Sequence, residues 1–169
     1  IKAKTRNRKL VIVAVDPGYD RLGIAVFEEE TLVHSECFIP KKAALSSRLL
    51  DVFSHVVKIV HMYKPQSLAL ETLFFSKNQK TAMNVAEARG VITVAAALSK
   101  IPVVEYSPQE VKIAVTGSGN ATKDAVIRMV EKLVPLVAKK RQDDEYDAIA
   151  LGIAHVAQRK LRKRISTDF

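Results

Sequence analysis

The 169-residue chain has one cysteine, no tryptophan, and only six glycines and six prolines. A lone thiol, Cys37, cannot form an intramolecular disulfide, which excludes a disulfide-stapled secreted scaffold and suits a reducing compartment. The longest apolar stretch, Val91 to Leu98, covers about eight residues and is broken by Thr93, whereas a bilayer crossing takes ~20. Only about five apolar residues separate the basic opening from Asp16, and no small-residue cleavage site follows, so the opening does not read as an export leader. The expectation is a cytoplasmic protein. Internal repeats, low-complexity segments and Pro/Gly/Ser-rich linkers are missing. The histidines (His34, His55, His61, His155) are scattered and Cys37 has no cysteine partner, so no zinc-ligand spacing is present.

What remains is an ordinary globular composition, 48% hydrophobic and 27% charged, at the length of one domain. The charge is one-sided: 27 Lys and Arg against 18 Asp and Glu, a formal +9. It is also concentrated at the ends. Residues 1–9 carry Lys2, Lys4, Arg6, Arg8 and Lys9 with no acid, and residues 159–169 carry Arg159, Lys160, Arg162, Lys163 and Arg164 against Asp168. The sequence thus divides into a basic extension (1–9), one neutral domain (10–158) and a basic tail (159–169). Such ends are often merely solvated, but on a neutral body they also suit a polyanion partner.

Hydrophobic periodicity orders the domain. Strands are expected over Leu10 to Val15, closed by the Asp16-Pro17-Gly18 turn, over Leu22 to Phe27 and over Thr31 to Ile39, with Glu28-Glu29-Glu30 as a hairpin turn. Leu45, Leu49, Val52, Phe53, Val56, Ile59, Val60 and Tyr63 lie on one helical face, and Pro65 ends that helix. Ser67 to Glu71 is a short strand ending on a charge. A helix over about Thr81 to Ser99 is apolar nearly all round after Gly90 and reads as packed between layers. A strand over Pro102 to Tyr106, a short helix from Gln109 to Val115 opened by Ser107 and Pro108, a helix from Thr122 to about Val137 and a last helix from Asp143 to about Lys160 complete the series. The pattern is that of an α/β fold with a mixed sheet.

Four acids stand out by position. Asp16 ends the first strand and Glu71 the fourth; Asp144 and Asp147 share one face at the start of the last helix. Singly, Asp16 has an ordinary explanation as a turn former and Asp144 and Asp147 as helix-dipole partners, whereas Glu71, an acid ending an apolar strand at the sheet's edge where α/β proteins place ligands, is harder to dismiss. Together they describe a site for a hard cation, because Mg²⁺ prefers carboxylate oxygens. Two such ions ~4 Å apart can activate a water and stabilise the leaving oxygen of a phosphodiester. Acids beside basic surface also need a cation before a phosphate backbone can approach. His155 reads as a packing or capping residue, Gly117 and Gly119 as part of a mobile loop.

The segments VIVAVDPGYDRLGIAVF (11–27), LALETLFFSKNQKTAMNVAEARGV (68–91), PVVEYSPQEVK (102–112), GSGNATKDAV (117–126) and DDEYDAIALGIAH (143–155) resemble, in order, the RuvC family of bacterial Holliday junction resolvases. That family belongs to the RNase H-like (retroviral integrase) superfamily. The resemblance implies an RNase H-like nuclease domain with a five-stranded mixed sheet flanked by helices. It places the catalytic, metal-holding carboxylates on Asp16, Glu71, Asp144 and Asp147, with Asp143 a neighbouring candidate for the role of Asp144. It implies Mg²⁺, two ions per site, with Mn²⁺ able to substitute. The expected reaction is paired hydrolysis of opposing strands of a four-way DNA junction by a homodimer, leaving 5′-phosphate and 3′-hydroxyl ends. DNA contacts fall on Phe74, Lys77, Asn78, Lys112 and Lys123, with Phe75 as the buried neighbour of Phe74, and a branch-migration motor of RuvA and RuvB type is the implied partner. Two other readings are weaker: a YqgF-like nuclease, which shares the Arg21-to-Ala25 pattern but lacks the Glu-x-x-Phe-Phe-x-Lys-Asn segment, and an actin-like phosphotransfer domain, which needs a second domain and phosphate loop.

Overall fold

The computed structural model describes residues 9–73 and 79–167, with side chains over 9–73 and 81–161. Strand β1 (Val11–Asp16) pairs antiparallel with β2 (Leu22–Glu28), which pairs antiparallel with β3 (Thr31–Phe38). Helix α1 (Leu45–Tyr63) then crosses over so that β4 (Ser67–Glu71) lies parallel to β1. Helix α2 (Gln79–Leu98) repeats the crossover to β5 (Val103–Tyr106), parallel to β4. The five-stranded sheet has the order β3-β2-β1-β4-β5. Helices α3 (Pro108–Thr116), α4 (Lys123–Leu133) and α5 (Asp143–Thr167) follow.

Side chains alternating along the strands feed two cores. Ile12, Ala14, Ala25 and Phe27 pack on one face with Val111 of α3, Val126 and Val130 of α4, and Ala148, Ile149 and Leu151 of α5. Val13, Val15, Ile24 and Val26 pack on the other with Val52, Val56 and Ile59 of α1 and Ile92, Ala95 and Ala96 of α2. Because both faces are covered, β1 and β2 are unbroken apolar runs rather than alternating ones.

Local chemistry sets the helix ends. Ser107 and Glu110 form a reciprocal capping box, with Pro108 in the first turn of α3. Thr122 caps α4 by accepting from the Ala125 backbone N–H. That helix stops at Leu133, short of the Val137 expected from the sequence. Pro135 forces Val134 into extended backbone, φ −126° and ψ 127°. Helix α5 runs on past Lys160 to Thr167, with Arg159 and Lys160 tied back to the body: Arg159 Nη1 donates to Ser67 Oγ at 2.9 Å, and Lys160 pairs with Glu30. The expectation that α2 lies between layers is corrected. Its Ala88, Ile92, Ala95 and Ala96 are buried, but Met83, Val94 and Leu98 face outward, because no further layer covers it among the described residues.

Candidate active site

Parallel pairing of β1 and β4 puts their C-terminal ends side by side at one edge of the sheet, so Asp16 and Glu71 meet there. Helix α5 starts at the same edge, packed across β1 and β2. Its first turn is seated on Gly23, which pairs with Asp16. A Cβ at Gly23 would lie 1.9 Å from the Asp144 carbonyl oxygen and 3.1 Å from Asp16 Cβ, so only glycine lets the helix come this close. Asp144 and Asp147 are thereby delivered to Asp16.

The electrostatics are those of acids forced together out of water. Burial pushes the Asp16 carboxyl well above its usual range, and the charges of Glu71, Asp147 and Asp144 push it further. A hydrogen bond with the Glu71 carboxyl raises it further still. Glu71 is raised by burial, and the Asp16 hydrogen bond and the charges of Lys123 and Arg89 only partly offset that shift. Asp147 is likewise raised by burial against the opposing pull of Lys123. The Lys123 ammonium bridges Asp147 at 3.0 Å and Asp143 at 3.2 Å. Burial lowers its pKa, and its bonds to Asp147 and Asp143 more than reverse that. Arg21 Nε lies 3.1 Å from Asp144 Oδ2 without hydrogen-bonding to it, so that oxygen is shut from water and accepts nothing.

A buried Asp144 oxygen without a hydrogen bond, beside acids that burial and one another's charge hold above their usual range, fits a divalent cation, and the donor set is all oxygen, as Mg²⁺ prefers. Among the described residues, no three acid, histidine or cysteine groups yet stand at coordination spacing. A cleft of about 240 Å³ opens beside Glu71 and Asp147, walled by Val111, Val126 and Leu151, with Lys112 of α3 and Lys123 of α4 on it. The two lysines expected to meet phosphates therefore flank the acids. Asp143, the competitor for the role of Asp144, is mostly exposed and engaged with Lys123. Phe74, Phe75, Lys77 and Asn78 lie outside the described residues. His155 is buried, with Ser67 Oγ at 2.7 Å and the Tyr106 hydroxyl at 2.8 Å, well inside the body as expected of a packing residue. Sequence reasoning missed Arg21 as the partner of Asp144; its only signal is a cation five residues past Asp16 in a turn between paired strands.

A family model described as "Crossover junction endodeoxyribonuclease RuvC" matches residues 12–155. The chain is 38% identical over 159 residues to the crossover junction endodeoxyribonuclease RuvC of Brachyspira hyodysenteriae, covering 90% of this chain and 97% of that one. It is 36% identical to that of Pseudothermotoga lettingae, covering 93% and 100%. Among solved structures it is similar to Thermus thermophilus RuvC in complex with a Holliday junction substrate, with a TM-score of 0.82, 28% identity and coverage of 90% and 96%.

Proposed function

The chain belongs to the RuvC family of crossover junction endodeoxyribonucleases, and on that premise we propose which of its residues cut a Holliday junction. It is a metal-dependent Holliday junction resolvase. The observation that carries the residue assignment is the placing of half-buried Asp16 at the end of β1 against Glu71, Asp147 and Asp144.

These four carboxylates would hold Mg²⁺, two ions per site, with Mn²⁺ able to replace it. The bound cations supply an activated water and charge against the leaving oxygen. The protein's own part is orientation and charge. Lys112 and Lys123 draw the backbone phosphates into the cleft beside Glu71 and Asp147. Lys123 is half-exposed and bridges Asp143 and Asp147, so it can meet a phosphate while holding the acids. The apolar wall of Val111, Val126 and Leu151 limits water at the scissile bond. Phe74, Lys77 and Asn78, three to seven residues past Glu71, are assigned to probing the crossover, where an aromatic can stack on an unpaired base for ~1–3 kcal/mol. Hydrolysis leaves 5′-phosphate and 3′-hydroxyl ends.

Paired cuts need two sites on one junction, and each chain carries one set of acids. We assign the dimer face to the apolar groove between α1 and α2, formed by Leu49, Leu50, Phe53, Gly90, Val91 and Val94. A RuvA and RuvB type motor remains the partner that the family implies.

The test is a synthetic four-way junction and a linear duplex, with and without Mg²⁺. Asp16→Asn should bind the junction at least as well as wild type, since a buried repulsive charge is gone, and should not cut it. Near-normal Mg²⁺-dependent nicking by Asp16→Asn would sink the site assignment.

A further inference from the structure

Glu145 sits between Asp144 and Asp147 in the sequence and takes no part in the site above, yet its side chain is only 5% exposed. At ~100° per residue, Asp144 and Asp147 lie ~60° apart on α5, while Glu145 points ~100° from the first and ~160° from the second. It therefore reaches away from the acids, toward the edge of the sheet. There one oxygen, Oε1, gathers three donors. Ser35 Oγ of β3 donates at 2.6 Å, Arg141 Nε at 3.1 Å, and Lys139 Nζ lies at 2.8 Å. Arg141 is itself 6% exposed, and Lys139 also donates to the Ser35 carbonyl at 3.2 Å. Three chain segments, β3, the 134–142 connection and the first turn of α5, are thus joined at one atom.

We propose that Glu145 is a positioning residue: its clasp by Ser35, Arg141 and Lys139 fixes the rotation of α5's first turn and so the aim of Asp144 and Asp147 toward Asp16. Stability alone does not explain such a pair, because replacing a buried ion pair with apolar groups is often neutral. What the clasp supplies is direction. A rotation of ~20° at a side-chain radius of ~6 Å moves a carboxylate by ~2 Å. Metal coordination tolerates only ~0.2 Å. Gly23 seats the helix at its depth, and Glu145 sets its turn.

The inference rests on Asp144 and Asp147 as metal-holding acids, and its test keeps the two claims apart. Two variants loosen the clasp without leaving an unpaired buried charge: Ser35→Ala, and the double change Arg141→Met with Glu145→Met. For each, melting temperature, junction affinity in EDTA, Mn²⁺ affinity of the DNA-free protein by calorimetry, and the Mg²⁺ concentration for half-maximal cleavage are measured. Both should fold and bind junction as wild type does. Mn²⁺ affinity should fall about tenfold, the size typical for removing groups that orient metal ligands, and the half-maximal Mg²⁺ should rise in parallel. Saturating Mg²⁺ should restore most of the rate. If the double variant does not fold, Ser35→Ala decides alone. Unchanged Mn²⁺ affinity and Mg²⁺ dependence overturn the inference whatever happens to the melting temperature. Normal cleavage by Asp147→Asn, run beside them, or no Mn²⁺ binding by wild type, would instead overturn the assignment of the acids.

Discussion

Two imidazoles converge on the Glu36 carboxylate: His55 Nε2 hydrogen-bonds Oε1 at 2.7 Å, and His34 Nε2 lies 3.1 Å from the same oxygen. His34 and His55 draw the carboxyl from 4.5 down to about 2, against the opposing pull of burial. His55 meets Oε1 in hydrogen-bonding geometry, and His34 approaches the same oxygen within ion-pair distance. A depressed carboxyl stabilises the fold above its unfolded pKa. That contribution is fully present above about pH 4.5 and is lost as the pH falls toward about 2. Glu36→Gln should cost about 1 kcal/mol near neutral pH, a figure discounted because the side chain is 30% exposed. It should also flatten the acid limb of a urea-unfolding series; an acid limb as steep as wild type's would show that Glu36 is not the group titrating. This cluster was not legible in the sequence, because His55 is 19 residues from Glu36 and the two meet only once α1 packs on β3. That Glu71 faces Asp16 was legible, because an acid ending an apolar strand has few other reasons to be there, whereas Asp16 before Pro17-Gly18 read equally as a turn former. Glu145 was not legible: in a run of three acids at a helix start, only the packing shows which one turns inward.

The element that matters most to the site is α5, and two glycines test how it is held. At Gly23 an added methyl would meet the Asp144 backbone oxygen at 1.9 Å. At Gly152 it would meet the buried Phe27 ring at 2.3 and 2.7 Å. Either alanine should cost ~1–3 kcal/mol through overpacking. The consequences for cleavage should differ. Gly23→Ala pushes back the turn that carries Asp144 and Asp147, so cleavage should be lost well below its melting temperature. Gly152→Ala strains the middle of the helix, so the folded fraction should still cut. Measuring nicking and thermal melting on both separates seat from stability; a fully active Gly23→Ala would show that the close approach does not set the site. At this scale periodicity placed the ten elements of the described residues, and its errors have causes. It overran α4 because Val134 and Val137 continue the apolar pattern that Pro135 ends. It enclosed α2 because composition does not say that Val94 and Leu98 face outward.

At the scale of the molecule, and among the described residues, the acids lie at one pole and Lys9 and Lys160, where the basic ends begin, lie at the other. Helix α5 starts at the acids, and Lys160, 13 residues past Asp147, is ~20 Å further along it, paired with Glu30 of the β2–β3 turn. Lys9 leads into β1 at that same pole and pairs with Glu28 at 2.9 Å. Lys9 and Lys160 thus stand away from the acids, so the pairing of two sites proposed above falls to some other surface. The α1–α2 face is the candidate: Leu50 is 63% exposed, Val94 53% and Leu98 70%, an apolar area that nothing covers among the described residues. A charge at such an exposed position changes stability by at most about 0.5 kcal/mol, but it cannot be buried unpaired between two copies. Val94→Glu should therefore keep the wild-type melting profile and shift the protein from dimer to monomer in sedimentation equilibrium. Each monomer retains its own Asp16, Glu71, Asp144 and Asp147, so nicking should persist at high protein concentration while the two cuts become independent. On a supercoiled plasmid with an extruded cruciform, wild type should yield linear product within one encounter, and Val94→Glu should accumulate nicked circles first. A Val94→Glu protein that stays dimeric and linearises the plasmid as wild type does would place the dimer face elsewhere.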